Sequence, residues 1–336
     1  MSATNLSVTS CCWNDRCWKT VTWCLRVVLL VQCLGVALTT WKNGTPINAL
    51  LFNDSAAGGW NWSEESAIWV DHTGAAWSLA AAIWIFVVPA FTRRRWPWRE
   101  LAVVLQVVAL LWIIVWQLSI TLAGWELGGT WTASPPFGWQ WDMNPPELAG
   151  VEKHRSFYQL SLTLGEHAAR ILAPLALLVF CPIRRGLVIS RRRVEMAVWL
   201  MRLAASATFL IHGWNAIQHS PHFIDLLIGS ADNLLDRTLP QAIAETLLRA
   251  IGMIDVVLAI LILACRWRVI AGYMAFWGIV TACSRMTAVA WQWGLADSLL
   301  RAANGGLPLA ILLYWWYTSR GRAIFARSVD PTTDSE

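Results

Sequence analysis

Residues 101–124 read "LAVVLQVVALLWIIVWQLSITLAG", a run without one charged side chain. As an α-helix it extends about 36 Å at 1.5 Å per residue, enough to cross a hydrocarbon core about 30 Å thick. The rest of the chain has the same character. Of its 336 residues 57% are hydrophobic and 14% charged, and the mean hydropathy is +0.48. That balance argues against a soluble globular domain and places the lipid bilayer first among its partners. Seven further apolar stretches of spanning length lie at 21–40, 67–91, 158–181, 196–218, 241–265, 269–291 and 299–316. The expected fold is therefore all-α: a polytopic membrane protein with eight transmembrane helices.

The net charge of +5 would suggest nucleic acid as a partner for a soluble protein, but here the placement of the charges carries the information. Sixteen basic residues lie on alternate connections: Arg16 and Lys19, then the clusters at 93–99, 184–193 and 266–268, then Arg320, Arg322 and Arg327. Only Lys42, Lys153, Arg155 and Arg237 lie on the opposite connections. The positive-inside rule then puts both termini in the cytoplasm and leaves no role for nucleic acid. Many of the 25 Trp residues fall where spans should meet water, as an aromatic belt does. In the N-terminal tail, Cys11, Cys12 and Cys17 sit on the reducing side of the membrane, so no disulfide framework is expected.

Two four-helix units are legible in short matches. "WCLR" (23–26) opens the first span and "WLMR" (199–202) the fifth, while "HAARILAPLALL" (167–178) in the fourth span matches "RAANGGLPLAIL" (301–312) in the eighth. Gln117 of the third span corresponds to Arg285 of the seventh. The expected organisation is a cytoplasmic tail at 1–20, a first unit with long outer loops at 21–186, a second unit at 187–322 and a tail at 323–336. Units of four spans enter the membrane in one orientation, as a parallel repeat.

Six arginines fall inside the spans: Arg26, Arg170, Arg202, Arg249, Arg285 and Arg301. Charges are costly in lipid, so these should face protein or water. In "HGWNAIQHSPHF" (212–223), His212, Asn215 and His219 share a helical face at spacings of three and four. Pro221 ends the helix or starts the loop. His212 lies deepest and is the candidate proton-exchanging group, since imidazole titrates near neutrality, whereas His219 and His222 belong to the wet rim. Glu245 and Arg249 can pair at i and i+4. With Asn215, Arg285, Arg301 and Asn304 they form an expected ligand-binding set with an arginine excess, suited to a small anion or the carbonyl oxygens of a quinone. No metal is expected, because His212 and His219 are two turns apart without a completing Cys or carboxylate cluster. The same groups could serve only as an ion-pair network that sets helix registry.

"RLAASATFLIHGWNAIQHSPHFIDLL" (202–227) followed by "LLRAIGMIDVVLAILILACRWRV" (247–269) resembles the DoxX/DoxD-like membrane family, with an Arg-led first helix ending in His-Gly and then a Gly-bearing second helix. The resemblance covers about residues 196–320 and is weak over 21–186, where Cys33, Leu34 and Gly35 stand near the His-Gly position. Members include a subunit of thiosulfate:quinone oxidoreductase and a protein needed for methylamine dehydrogenase maturation. The resemblance implies a four-helix fold in the bacterial inner membrane, a quinone as candidate cofactor and a redox partner protein. A transporter with its site between pseudo-symmetric halves and an assembly subunit remain alternatives, and whether the chain is an enzyme stays open.

Overall fold

The computed structural model describes residues 15–53, 59–92, 98–127, 130–134, 138–142, 157–181 and 190–329. Its first six helices are α1 (Asp15–Asn43), α2 (Pro46–Phe52), α3 (Glu64–Thr92), α4 (Arg99–Leu127), α5 (Phe157–Glu166) and α6 (Ala168–Phe180). The next six are α7 (Arg191–Ile217), α8 (Pro221–Leu235), α9 (Gln241–Ala264), α10 (Arg268–Val289), α11 (Trp291–Leu300) and α12 (Ala302–Val329). In the connection after α4, β1 (Thr130–Ser134) and β2 (Gly138–Asp142) form a short antiparallel hairpin, with Trp131 opposite Trp141.

Among the described residues six segments are long and apolar enough to cross a membrane: α1 with α2, then α3, α4, α7, α9 and α10. A seventh span results if α5 and α6, bent by 61° at His167, are taken together. The uniform helix expected over 158–181 is thus two pieces, and the stretch at 299–316 is likewise split at Arg301. Helix α1 starts at Asp15 and buries Cys17 in the core, so this cysteine belongs to the bundle rather than to a tail. Cys11 and Cys12 lie outside the described residues.

The surface is inverted relative to a water-soluble bundle. On α4, Val104, Val108, Leu111 and Val115 are exposed, whereas Gln106 and Gln117 are buried with Leu110 and Ile113. Apolar side chains facing outward cost nothing against hydrocarbon, while a glutamine does, so the polar face turns inward.

Packing repeats six elements apart. Helix α1 packs on α3 as α7 packs on α9; α2 and α8 pack on α4 and α10; α4 and α10 pack on α6 and α12. Across the halves, α12 and α11 pack on α1 just as α6 and α5 pack on α7. The matched motifs share local geometry too. Arg26 lies over the Trp23 ring at 5.6 Å and Arg202 over Trp199 at 4.0 Å. The two breaks adopt nearly the same backbone, φ −93 and ψ 3 at His167 against φ −93 and ψ 11 at Arg301. Each is closed by a three-residue turn, Arg170 N donating to His167 O (3.0 Å) and Asn304 N to Arg301 O (2.9 Å).

The prolines explain part of this. Pro174 has no N–H for the carbonyl four residues earlier, that of Arg170. Gln32 Nε2 from α1 donates to that freed oxygen at 3.2 Å. Pro308 frees the Asn304 carbonyl in the same way, and α10 presses Gly278 against it: a Cβ there would lie 2.7 Å from Asn304 O. One pairing does not repeat. Helix α3 packs along α4, but α9 barely touches α10, and α8 packs on both.

Candidate functional site

The stretch 212–223 builds the wall of the site. Helix α7 ends in a two-bond C-cap, with Ser220 N donating to Asn215 O (3.0 Å) and His219 N to Ala216 O (3.1 Å). His219 takes the left-handed conformation at φ 56 that this cap requires. Pro221 then occupies the first turn of α8, where its missing N–H costs nothing. The reversal carries His222 and Phe223 back into the bundle, where Phe223 stands between the His212 ring (5.7 Å between centroids) and the His222 ring (5.3 Å).

His222 is therefore not a rim residue. Its Nε2 lies 3.1 Å from Arg285 Nη2. A guanidinium only donates, so Nε2 accepts and the ring is neutral with its hydrogen on Nδ1. Burial, then the neighbouring Arg285 and Arg301 charges, hold the imidazole well below its ordinary pKa. Arg285, 4% exposed, also donates from Nη1 to Thr281 O (2.7 Å) and Ser284 Oγ (3.2 Å), and its Nε lies 3.6 Å from Asp297 Oδ2. Asp297 on α11 is shared: Arg301 Nη1 donates to its Oδ1 and, at 3.1 Å, to its backbone carbonyl. Arg170, buried, and Glu166, half-buried, complete the charged cluster, with Glu166 in electrostatic reach of Arg170, Arg301, His167 and His212. Three guanidinium groups thus meet two carboxylates.

Beside this cluster lies a slot of about 420 Å³ between α7, α8, α9 and α10. Its walls are apolar, supplied by residues such as Phe209, Leu226, Leu227 and Ile251, and its polar end is formed by His212, Arg285, Arg301 and Asn304. Asp255 faces the same space, and its Oδ1 has no hydrogen-bond partner among the described residues. Neither has Asn304 Oδ1. The slot adjoins the loosely packed seam between α9 and α10.

The expected ligand set is only partly brought together. His212, Arg285, Arg301 and Asn304 converge on the slot. Asn215 lines a different cavity, one that lies between the two halves. Glu245 accepts from Gln241 Nε2 (2.8 Å) and Arg249 is exposed, so the expected pair sits on the outer turns of α9, away from both cavities. The reason is the phase of α9: Ala244, Leu248, Gly252 and Asp255 form its buried face, which excludes positions 245 and 249. His222 and Asp297 were missed as members of the site. The four-residue step from Asp297 to Arg301 is a legible pairing signal; His222 carried none, because its position depends on the turn at His219. Arg202 proves structural, donating to the carbonyls of Ile262 (2.8 Å), Leu263 and Cys265 (3.4 Å) at the end of α9. Asp71 is structural too, accepting from Thr45 N (2.7 Å) and Oγ1 (2.6 Å) to fix the turn between α1 and α2. Among the described residues no three His, Cys, Asp or Glu side chains gather as a metal set. Compared with protein-family models, with curated proteins and with solved structures, the chain shows no match.

Proposed function

We propose that this protein binds a lipid-soluble, carbonyl-bearing ligand, a quinone by the resemblance to DoxX/DoxD-like proteins, in the slot of its second half. The observation that carries the reading is an apolar slot beside the loosely packed seam between α9 and α10, with guanidinium groups at its polar end. An apolar body enters from the bilayer through that seam, and Arg285, Arg301 and Asn304 bond its oxygens. His212 exchanges the proton that carbonyl reduction consumes or oxidation releases. Asn215, Glu245 and Arg249 drop out of the binding set. The protein would serve electron transfer, or maturation of a redox partner, in the bacterial inner membrane.

Two experiments test this reading. Lipid extracts of the purified protein should contain a stoichiometric quinone, and Arg285→Gln should lose it while melting within a few degrees of the parent, since Arg301 still pairs Asp297. Loss of stability with unchanged ligand content assigns Arg285 to registry alone and defeats the reading. The proposed topology has eight spans with both termini cytoplasmic, α12 serving as the last despite its modest length of apolar sequence. Reporter fusions after Arg95, Arg193 and Arg322 should report cytoplasm, and fusions at Gly138 and Asp232 the outside; a cytoplasmic signal from Gly138 breaks the scheme.

A further inference from the structure

The geometry points to a second binding site, for a small water-soluble oxyanion, in the cavity of about 410 Å³ between the two halves. It is independent of the slot reading. Gln117, His167 and Arg170, the counterparts of Arg285, Arg301 and Asn304, line this cavity together with Asn215, His222, Asp297 and Arg301 of the second half, and it differs from the slot in two ways.

The first difference is access. None of its lining comes from α3, which packs along α4 more closely than α9 does along α10. The cavity instead reaches the outer surface beside Lys42, Asn43 and Trp293, all exposed. Lys42 is held at that mouth by its bond to Gln292 O (2.8 Å) and by the Trp293 ring (5.6 Å). Entry is from water, not lipid.

The second difference is chemistry. Gln117 (3% exposed) and Arg170 (7% exposed) are buried, yet Gln117 Nε2 and Arg170 Nε have no hydrogen-bond partner among the described residues. Nor do Trp125 Nε1, His167 Nδ1 or Thr39 Oγ1, which line the same space. Buried donors are almost always satisfied, and leaving one bare costs about 1–3 kcal/mol. Gln117, Trp125 and Arg170 line the cavity and each keeps such a bare N–H buried beside it, so a small turn of these side chains would satisfy them on an acceptor bound there. The charge balance favours an anionic one: Lys42, Arg170 and Arg301 face Glu166 and Asp297 there. A carboxylate or a phosphate meets both demands. Arg301 and Phe223 line the slot as well, so the two sites share a wall, across which His222 bonds Arg285.

The test is a thermal-shift titration of the full-length protein in detergent with sodium phosphate and, separately, sodium acetate, at ionic strength held constant with chloride. A saturable rise in melting temperature with one of them is expected, and which one identifies the headgroup. Gln117→Leu removes a bare buried donor without breaking a bond, so it should fold with an unchanged or higher melting point in chloride and raise the half-saturating concentration about tenfold or more. Arg170→Gln should raise the half-saturating concentration likewise, with a lower melting point in chloride because Glu166 loses a neighbouring positive charge. Leu227→Trp, which fills the slot from α8, should abolish quinone retention and leave the anion titration unaltered. No saturable effect beyond chloride overturns the proposal, as does half-saturation unchanged in Gln117→Leu. Loss of the anion response in Leu227→Trp moves the anion into the slot and overturns this site while leaving slot binding standing.

Discussion

Arg202→Leu is expected to lower the stability of the folded protein by about 3 kcal/mol, among the largest losses from a single substitution outside the cavities. Arg202 is 3% exposed and its guanidinium donates to three carbonyls at the C-terminal end of α9. Those oxygens are the ones a helix end leaves without internal partners, and a cation there also opposes the negative end of the helix dipole. Leucine fills the volume but leaves buried acceptors bare. The matched position in the first half supplies the control. Arg26 rests on Trp23 as Arg202 rests on Trp199, but its Nε has no hydrogen-bond partner among the described residues. Arg26→Leu should therefore cost only about 1 kcal/mol, the worth of the ring contact. Chemical unfolding in mixed micelles measures both. Equal losses would mean that the ring stacking, not the capping of α9, is what Arg202 contributes.

Gly252→Leu is the second large effect, expected to cost about 3 kcal/mol through overpacking. Helices α7 and α9 cross where two glycines face each other. A Cβ on Gly252 would meet Gly213 O at 2.6 Å, and one on Gly213 would meet Gly252 O at 2.8 Å. Close approach through small residues is how helices associate in lipid, where no hydrophobic force separates protein from solvent. The obstruction is backbone, so the helices themselves must move apart. That displacement also shifts Asp255, whose Cβ lies 3.0 Å from where a Gly213 Cβ would be, and with it one wall of the slot. Because either substitution separates the same pair, Gly213→Leu with Gly252→Leu should cost clearly less than the two single losses added. Additive losses would show that the crossing is not the shared element.

How far the site was legible depended on the range of the interaction that forms it. The duplicated Pro-Leu-Ala motifs led to His167 and Arg301, because a proline disturbs its own helix within one turn and leaves a local mark. Arg285 was legible as a charge in an apolar run. Glu245 and Arg249 were misplaced for a related reason. Their spacing allows a pair, but spacing does not say which face of α9 meets protein, and in a bilayer the polar end turns of a helix can sit in the headgroup region without any partner inside the bundle.

The solvent and the architecture class are legible residue by residue, in apolar runs of bilayer length, basic connections on alternate turns, and two copies of one pattern. Which charges meet follows from how the chain folds back on itself. His222 reaches Arg285 because the left-handed His219 reverses the chain. Asp297 serves two arginines because α11 breaks from α12 at Arg301. The unequal seams, close between α3 and α4 and loose between α9 and α10, set the slot of the second half apart from the cavity that both halves line. Each of these depends on a backbone turn or a helix crossing that brings together groups far apart in the chain, and hydrophobic periodicity reports which residues avoid water, not which of the buried ones touch.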